Sequence, residues 1–179
     1  MESKEQNLVN GCIKKDRKAQ RALYEMYKVQ LFRICLRYAK DRPEAEDMLQ
    51  DGFIKIFADI KQYTGKGSLG GWLSRVMVNT ALQYLRKQKR RGHTLEITEI
   101  ADTHQAEEVI LSDLGAKALT NLIQKLPPGY RVVFNMYVIE GYSHREIAEQ
   151  LQVTESTSKS QLSKAKAMLR RMFEKNLVG

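Results

Sequence analysis

The sequence predicts an all-α protein of two small helical modules joined by an acidic linker, with a helix-turn-helix in the C-terminal module. Three observations carry this. Apolar residues recur at helical spacing along most of the chain, and strand-like alternation is nearly absent. Proline occurs only at 43, 127 and 128, where helices can begin. Charge then divides the 179 residues: "RKQKRR" at 86–91 is nearly all basic, whereas 93–113 contains Glu96, Glu99, Asp102, Glu107, Glu108 and Asp113 and no Lys or Arg. Such a shift marks a linker, giving modules at 1–91 and 108–179 around a linker at 92–107. The first helix of the second module is expected to open near Glu107.

The net charge of +9 calls for a polyanionic partner, either nucleic acid or an anionic membrane surface. No apolar run reaches the roughly 18 residues of a membrane span, and no signal-peptide pattern opens the chain, so a soluble cytoplasmic protein is expected. Cys12 and Cys35 lack metal-ligand spacing and read as reduced thiols, with Cys35 in a core. His93, His104 and His144 are scattered. No metal site, cofactor, small-molecule substrate or catalytic constellation is expected, so the chain reads as a non-enzyme.

The first clear helix is "DRPEAEDMLQDGFIKIFADI", with Asp41 as cap and Pro43 in the first turn. Ala45, Leu49, Phe53, Ile56 and Ile60 mark its core side, and Asp47, Gln50, Asp51 and Ile54 its outer side. An isoleucine among carboxylates suits a protein-docking face, apolar at its centre and polar at its rim. "YTGKGSLGGW" follows; it lacks the Walker spacing and no strand precedes it, so nucleotide triphosphate binding is rejected. A sharply bent loop that admits close backbone approach fits better. The next helix runs from about Gly71 to Arg90, with Trp72, Leu73, Val76, Met77, Ala81 and Tyr84 inside. Arg75, Asn79, Leu82, Arg86 and Lys89 face out, with Arg90 on one flank. Cations and an amide beside aromatic residues and a glycine loop are what single-stranded DNA binding requires.

In the second module, the Pro pair of "LPPGYRVVFNMYVIEG" starts a helix buried through Val132, Val133, Met136 and Ile139, and Gly141 serves as its left-handed stop. Ser143 caps a new helix, with Glu146 completing a capping box and Ile147, Ala148 and Leu151 facing inward. After the turn "QVT", Thr154 caps a last helix that buries Leu162, Ala165, Leu169 and Phe173. Ser160, Ser163, Lys164 and Arg171 lie opposite, with Lys159 and Gln161 on the flanks. This is helix-turn-helix grammar, in which the second helix enters the major groove.

Together, "AEDMLQDGFIKIF", "YTGKGSLGGWLSRVMVNTALQYLRK" and "LPPGYRVVFNMYVIEGYSHREIAEQL…TSKSQLSKAKAMLRR" resemble, in order and spacing, the extracytoplasmic-function group of bacterial RNA polymerase sigma factors. The resemblance spans nearly the whole chain. It implies a promoter-specificity subunit that binds core polymerase through the beta-prime clamp and beta flap, recognises promoter DNA and helps to melt it. By the same resemblance, Asp47, Gln50, Asp51, Phe53 and Ile54 dock on the clamp. Tyr63, Lys66, Trp72, Arg75, Asn79 and Arg86 would take the minus-ten element. Lys159, Ser160, Ser163, Lys164 and Arg171 would read the minus-thirty-five element. The acidic linker would thread the polymerase channels, mimicking nucleic acid. With no metal-binding or receiver-type extension in the sequence, regulation is expected from a separate anti-sigma factor, one that a membrane could anchor.

Three positions depart from the family pattern. Gln152 stands where the turn usually has Gly, Ser158 where an apolar residue is usual, and Gln161 where Arg is frequent. They are expected to weaken packing of the last helix and to alter base preference. The acidic stretch, about 21 residues, reaches at most roughly 70 Å when extended, about two turns of B-DNA at roughly 35 Å each. One chain can thus hold two separated DNA elements. The competing reading is a free-standing helix-turn-helix regulator, which would bind duplex DNA alone and need no docking face.

Overall fold

A computed structural model of the chain describes residues 4–91 and 114–177, and all regular structure within them is helical. The chain divides into two compact units, 1–92 and 93–179. The linker at 92–107 and a helix opening at Glu107 fall outside the described residues. No described helix is long and apolar enough to cross a membrane.

The first unit comprises α1 (Lys4–Ile13), α2 (Arg17–Tyr38), α3 (Arg42–Asp59), a 3₁₀ turn (Ile60–Gln62) and α4 (Leu69–Arg90). Helices α2, α3 and α4 pack against one another, and α1 lies against α2 and the 3₁₀ turn. Helix α2 buries Leu23, Tyr27, Leu31, Ile34, Cys35 and Tyr38, spaced three and four apart so that one stripe faces inward. Each fully buried aliphatic side chain in this core contributes about 1.5–3 kcal/mol of transfer free energy. Asp41 caps α3 by accepting from the Glu44 backbone N–H at 2.9 Å, with Pro43 in the first turn. Glu44 turns inward and accepts from the Lys40 N–H at 2.7 Å. Met48 and Ile56 fill the core side of α3, while Leu49 is only half-buried. At Gly52, α3 touches α4 closely enough that a Cβ would overlap the sulfur of Met77. Both thiols are free and buried; burial pushes Cys35 up to about 12, so it stays protonated.

In the second unit, α5 (Leu114–Gln124) and α6 (Pro128–Phe134) pack against α8 (Glu155–Leu177), and α7 (His144–Leu151) lies across α8. Buried Arg131 donates from Nη2 to the carbonyls of Gln124 at 2.9 Å and Leu126 at 2.8 Å, satisfying the end of α5 from α6. Helix α6 continues into a π turn over Asn135–Ile139, closed by the Glu140 N–H on the Asn135 carbonyl at 3.0 Å. The widened turn rotates the following residues outward. Ile139, expected inside, is therefore 39% exposed, whereas Val132, Val133 and Met136 are buried.

Candidate nucleic-acid interfaces

In the first unit the loop after α3 is shaped by its own residues. Gly65 and Gly67 adopt φ of 75° and 82°, left-handed values that favour glycine. The Tyr63 hydroxyl donates to the Gly67 carbonyl at 2.8 Å and closes the loop into a ring. The Tyr63 ring lies 5.9 Å from that of Trp72. Ser68 caps α4 by accepting from the Gly71 N–H at 3.1 Å, so the helix begins at Leu69, ahead of the expected Gly71. Lys66 stands exposed on the loop, and Arg75, Asn79, Arg86 and Lys89 are exposed along α4. Leu82, expected on the outer half, is buried with Val78 instead; Trp72 and Val76, expected inside, are half-buried. A cleft of about 250 Å³ opens beside this helix, lined by Trp72, Val76, Arg75 and Asn79 of α4 and by Asp59 and Lys55 of α3.

Helix α3 presents a separate face. Ile54 is 69% exposed, and Asp47, Gln50 and Asp51 are exposed with it. Phe53 does not belong there: it is 5% exposed, packed at 4.6 Å on Tyr24 and 5.9 Å on Phe57. It is turned away from that face, so its place is in the scaffold. The Tyr84 hydroxyl donates to Asp47 Oδ2 at 3.4 Å, linking the back of α4 to this face. Burial foremost holds the Tyr84 phenol above its ordinary value, which keeps it a donor.

In the second unit the helix-turn-helix is fixed by caps. Ser143 Oγ accepts from the Glu146 N–H at 3.2 Å, and Glu146 Oε2 accepts from the Ser143 N–H at 2.8 Å. That backbone donor, with the Ser143 hydroxyl, holds the Glu146 carboxyl below its ordinary value. Thr154 Oγ1 accepts from the Thr157 N–H at 3.0 Å and starts α8. Gln152, at the usual glycine position, takes φ 56°, a left-handed conformation that a side chain makes costly.

The other two departures find partners. Ser158 is fully buried, and its hydroxyl pairs with His144 Nδ1 at 2.9 Å. The polar side chain is thereby satisfied, so the expected loss of packing does not arise from an orphaned hydroxyl. The His144 ring stacks on Tyr137 at 4.4 Å, and Lys166 Nζ lies 5.9 Å from the Tyr137 centroid. Gln161 is half-buried and faces Gly129 of α6: a Cβ on that glycine would come within 3.2 Å of Gln161 Nε2. Lys159, Ser160, Ser163, Lys164 and Arg171 are all exposed on α8. Leu162 and Ala165 are buried; Phe173, expected inside, is 57% exposed.

Among the described residues no group of histidine, cysteine and carboxylate side chains is arranged to hold a metal ion. The faces offer cations, amides and hydroxyls to a polyanion and provide no nucleophile paired with a base.

Comparison with known proteins follows the same division. Residues 23–91 match the family model of sigma-70 region 2, and residues 116–169 that of sigma-70 region 4. The chain is 28% identical over 176 residues to the ECF RNA polymerase sigma-E factor of Haemophilus influenzae, covering 92% of this chain and 93% of that one. It is 31% identical over 152 residues to the ECF RNA polymerase sigma factor SigE of Mycolicibacterium smegmatis, covering 82% of this chain and 58% of that protein. Its fold is shared with the sigma factor RpoE of Bartonella quintana, solved in complex with the anti-sigma factor NepR, at a TM-score of 0.56 and 17% identity, covering 86% of this chain and 96% of that one.

Proposed function

The chain belongs to the extracytoplasmic-function group of the sigma-70 family, and from that premise we propose how its surfaces divide the work of promoter-specific transcription initiation. It is a specificity subunit and performs no catalysis itself. Residues 1–91 dock on core RNA polymerase and take the minus-ten element; residues 108–179 read the minus-thirty-five element; 92–107 link them. The α3 face of Asp47, Gln50, Asp51 and Ile54 meets the beta-prime clamp, and the second module meets the beta flap. Lys66, Trp72, Arg75, Asn79 and Arg86 hold the melted strand, with Tyr63 shaping the loop that captures it. Cations there follow the phosphates, the indole offers a stacking surface, and Asn79 can read a base edge. Lys159, Ser160, Ser163 and Lys164 meet base edges in the major groove, and Arg171 a phosphate. The protein works in the cytoplasm, restrained by an anti-sigma factor.

The observation that supports this reading most is the presence in one chain of two exposed DNA-type helices, α4 and α8, in separate compact units, beside an acidic-apolar face on α3. A regulator acting alone on duplex DNA needs only the second unit. The test is transcription from fragmented genomic DNA of the source organism with purified bacterial core polymerase, with and without the protein, and with transcript starts sequenced. New starts that share two upstream motifs only when the protein is present are expected. No new starts, together with retention of specific duplex fragments by the protein alone, would overturn the reading in favour of a free-standing regulator.

A further inference from the structure

The outward side of α2 takes no part in the functions assigned above. Met26 is 55% and Val29 44% exposed, and Ala22, one turn before Met26, is exposed with them. Their four- and three-residue spacing makes one aliphatic stripe. Lys18 and Arg21 are exposed at one end of it and Arg33 at the other. Glu25, the single acid of α2, is tied to Lys28 at 2.6 Å. Among the described residues no carboxylate pairs with Lys18, Arg21 or Arg33. The face thus has an apolar centre and an uncompensated positive rim. Tyr24, which packs on Phe53 of α3, lies about 140–200° around the helix from Val29 and Met26, at about 100° per residue. The stripe is therefore turned away from α3.

We propose that this stripe docks an acidic amphipathic helix of a protein partner other than core polymerase, and that the docked helix leaves the α3 face free. The second half rests on the reading of α3 as the polymerase-docking face.

Charge and surface chemistry select that occupant. Arg21 and Arg33 stand about 18 Å apart along the axis, so a partner helix of about three turns with carboxylates towards both ends meets both rims. Aliphatic side chains at three- and four-residue spacing on that helix cover Ala22, Met26 and Val29. An exposed methionine suits such a contact, because its unbranched side chain adapts to the surface laid against it. A nucleic acid strand would use the cations but has nothing to lay on an aliphatic stripe. Bases stack on aromatic rings, and Tyr24 is on the other side of the helix, against Phe53. The positive rim steers an acidic partner in and turns basic ones away.

The test places a benzophenone amino acid in place of Val29 in the full-length chain, produced in the source organism, with irradiation in the cells and the cross-linked residues mapped by mass spectrometry. The same is done in an Arg21→Glu/Arg33→Glu background, with circular dichroism as a check on folding. Cross-linking is expected to one protein, through a segment in which acids outnumber bases and apolar residues recur at helical spacing. Reversal of the two charges should lower its yield by about tenfold, as like charges placed face to face require. Arg21→Glu/Arg33→Glu without the cross-linker should retain wild-type transcript starts with core polymerase. Cross-links confined to polymerase subunits, to nucleic acid or to a segment that is not acidic would overturn the inference. So would no cross-link, a yield unchanged by charge reversal, or loss of starts in the double variant. Absence of motif-dependent starts with the wild type would overturn the sigma reading while leaving a mapped acidic helix on α2 in place.

Discussion

The close approach of α3 and α4 at Gly52 can be tested by a double-mutant cycle. A Cβ added at Gly52 would overlap Sδ and Cε of Met77, which is fully buried and has no solvent to retreat into. Overpacking of that kind costs about 1–3 kcal/mol, while replacing a mid-helix glycine by alanine returns about 1 kcal/mol of helix propensity. Gly52→Ala alone should therefore destabilise the first unit by about 0–2 kcal/mol. Met77→Ala alone removes a buried side chain and should cost about 2–5 kcal/mol. In that background the new methyl enters vacated space, so Gly52→Ala should instead stabilise by about 1 kcal/mol. The coupling between the two sites is then about 1–3 kcal/mol. The single tryptophan of the chain, Trp72, lies on α4, so urea unfolding followed by its fluorescence reports on this unit and not the other. Additivity of the two substitutions within about 0.5 kcal/mol would refute the account of the helix contact.

Other surfaces give sharper functional readouts. Ile54→Lys should reduce affinity for core polymerase without changing the unfolding midpoint, since Ile54 is exposed; normal affinity would count against docking through α3. Lys164→Ala should weaken promoter-duplex binding by about 1–3 kcal/mol if the contact is to a base, with a loss that differs between sequences; an equal loss on all sequences would assign it to phosphate. Gln152→Gly should stabilise the second unit by roughly 0.5–1 kcal/mol, the relief of a left-handed side chain less the added freedom of the unfolded chain. A melting temperature that falls would show that the Gln152 side chain makes a contact worth more than the strain. Because the folded Glu146 carboxyl lies below its ordinary value of 4.5, its contribution is present above that value and lost as pH falls through the lowered one. The gap in stability between wild type and Glu146→Gln should thus shrink between about pH 6 and about pH 3, and an unchanged gap would mean the cap does not depend on charge.

Local signals were legible in the sequence. Asp41, Ser143 with Glu146, and Thr154 all cap where their residue types and spacing placed them, because a cap involves only neighbours in the chain. The stripe of α2 was equally available from Leu23, Tyr27, Leu31, Ile34 and Tyr38, though it sits among so many charges that the helix does not stand out. Periodicity failed at Leu82 and Phe173 within regular helices, and at Ile139, where the period itself changed. Nothing in "NMYVI" announces a π turn, and a regular 3.6-residue count carried Ile139 to the wrong side. Spacing put Phe53 on the core side of α3 while the family resemblance put it with Gln50, Asp51 and Ile54, and its packing on Tyr24 and Phe57 agrees with the spacing. Asp59 could not be found at all, because its place in a cleft depends on how α4 lies against α3.

The bond between His144 and Ser158 sets how α8 is indexed along α7. Two apolar side chains in contact tolerate a slide of an ångström with little change in energy, but a hydrogen bond does not. At 2.9 Å, an axial slip that lengthens the pair by about 0.7 Å takes it out of bonding range. Ser160 and Ser163 lie within two turns of Ser158 on the same rigid helix, so any slip would be carried to them undiminished. A buried hydroxyl in the position of an aliphatic side chain therefore works as a detent. It trades a little apolar burial for axial alignment of the exposed polar residues of α8.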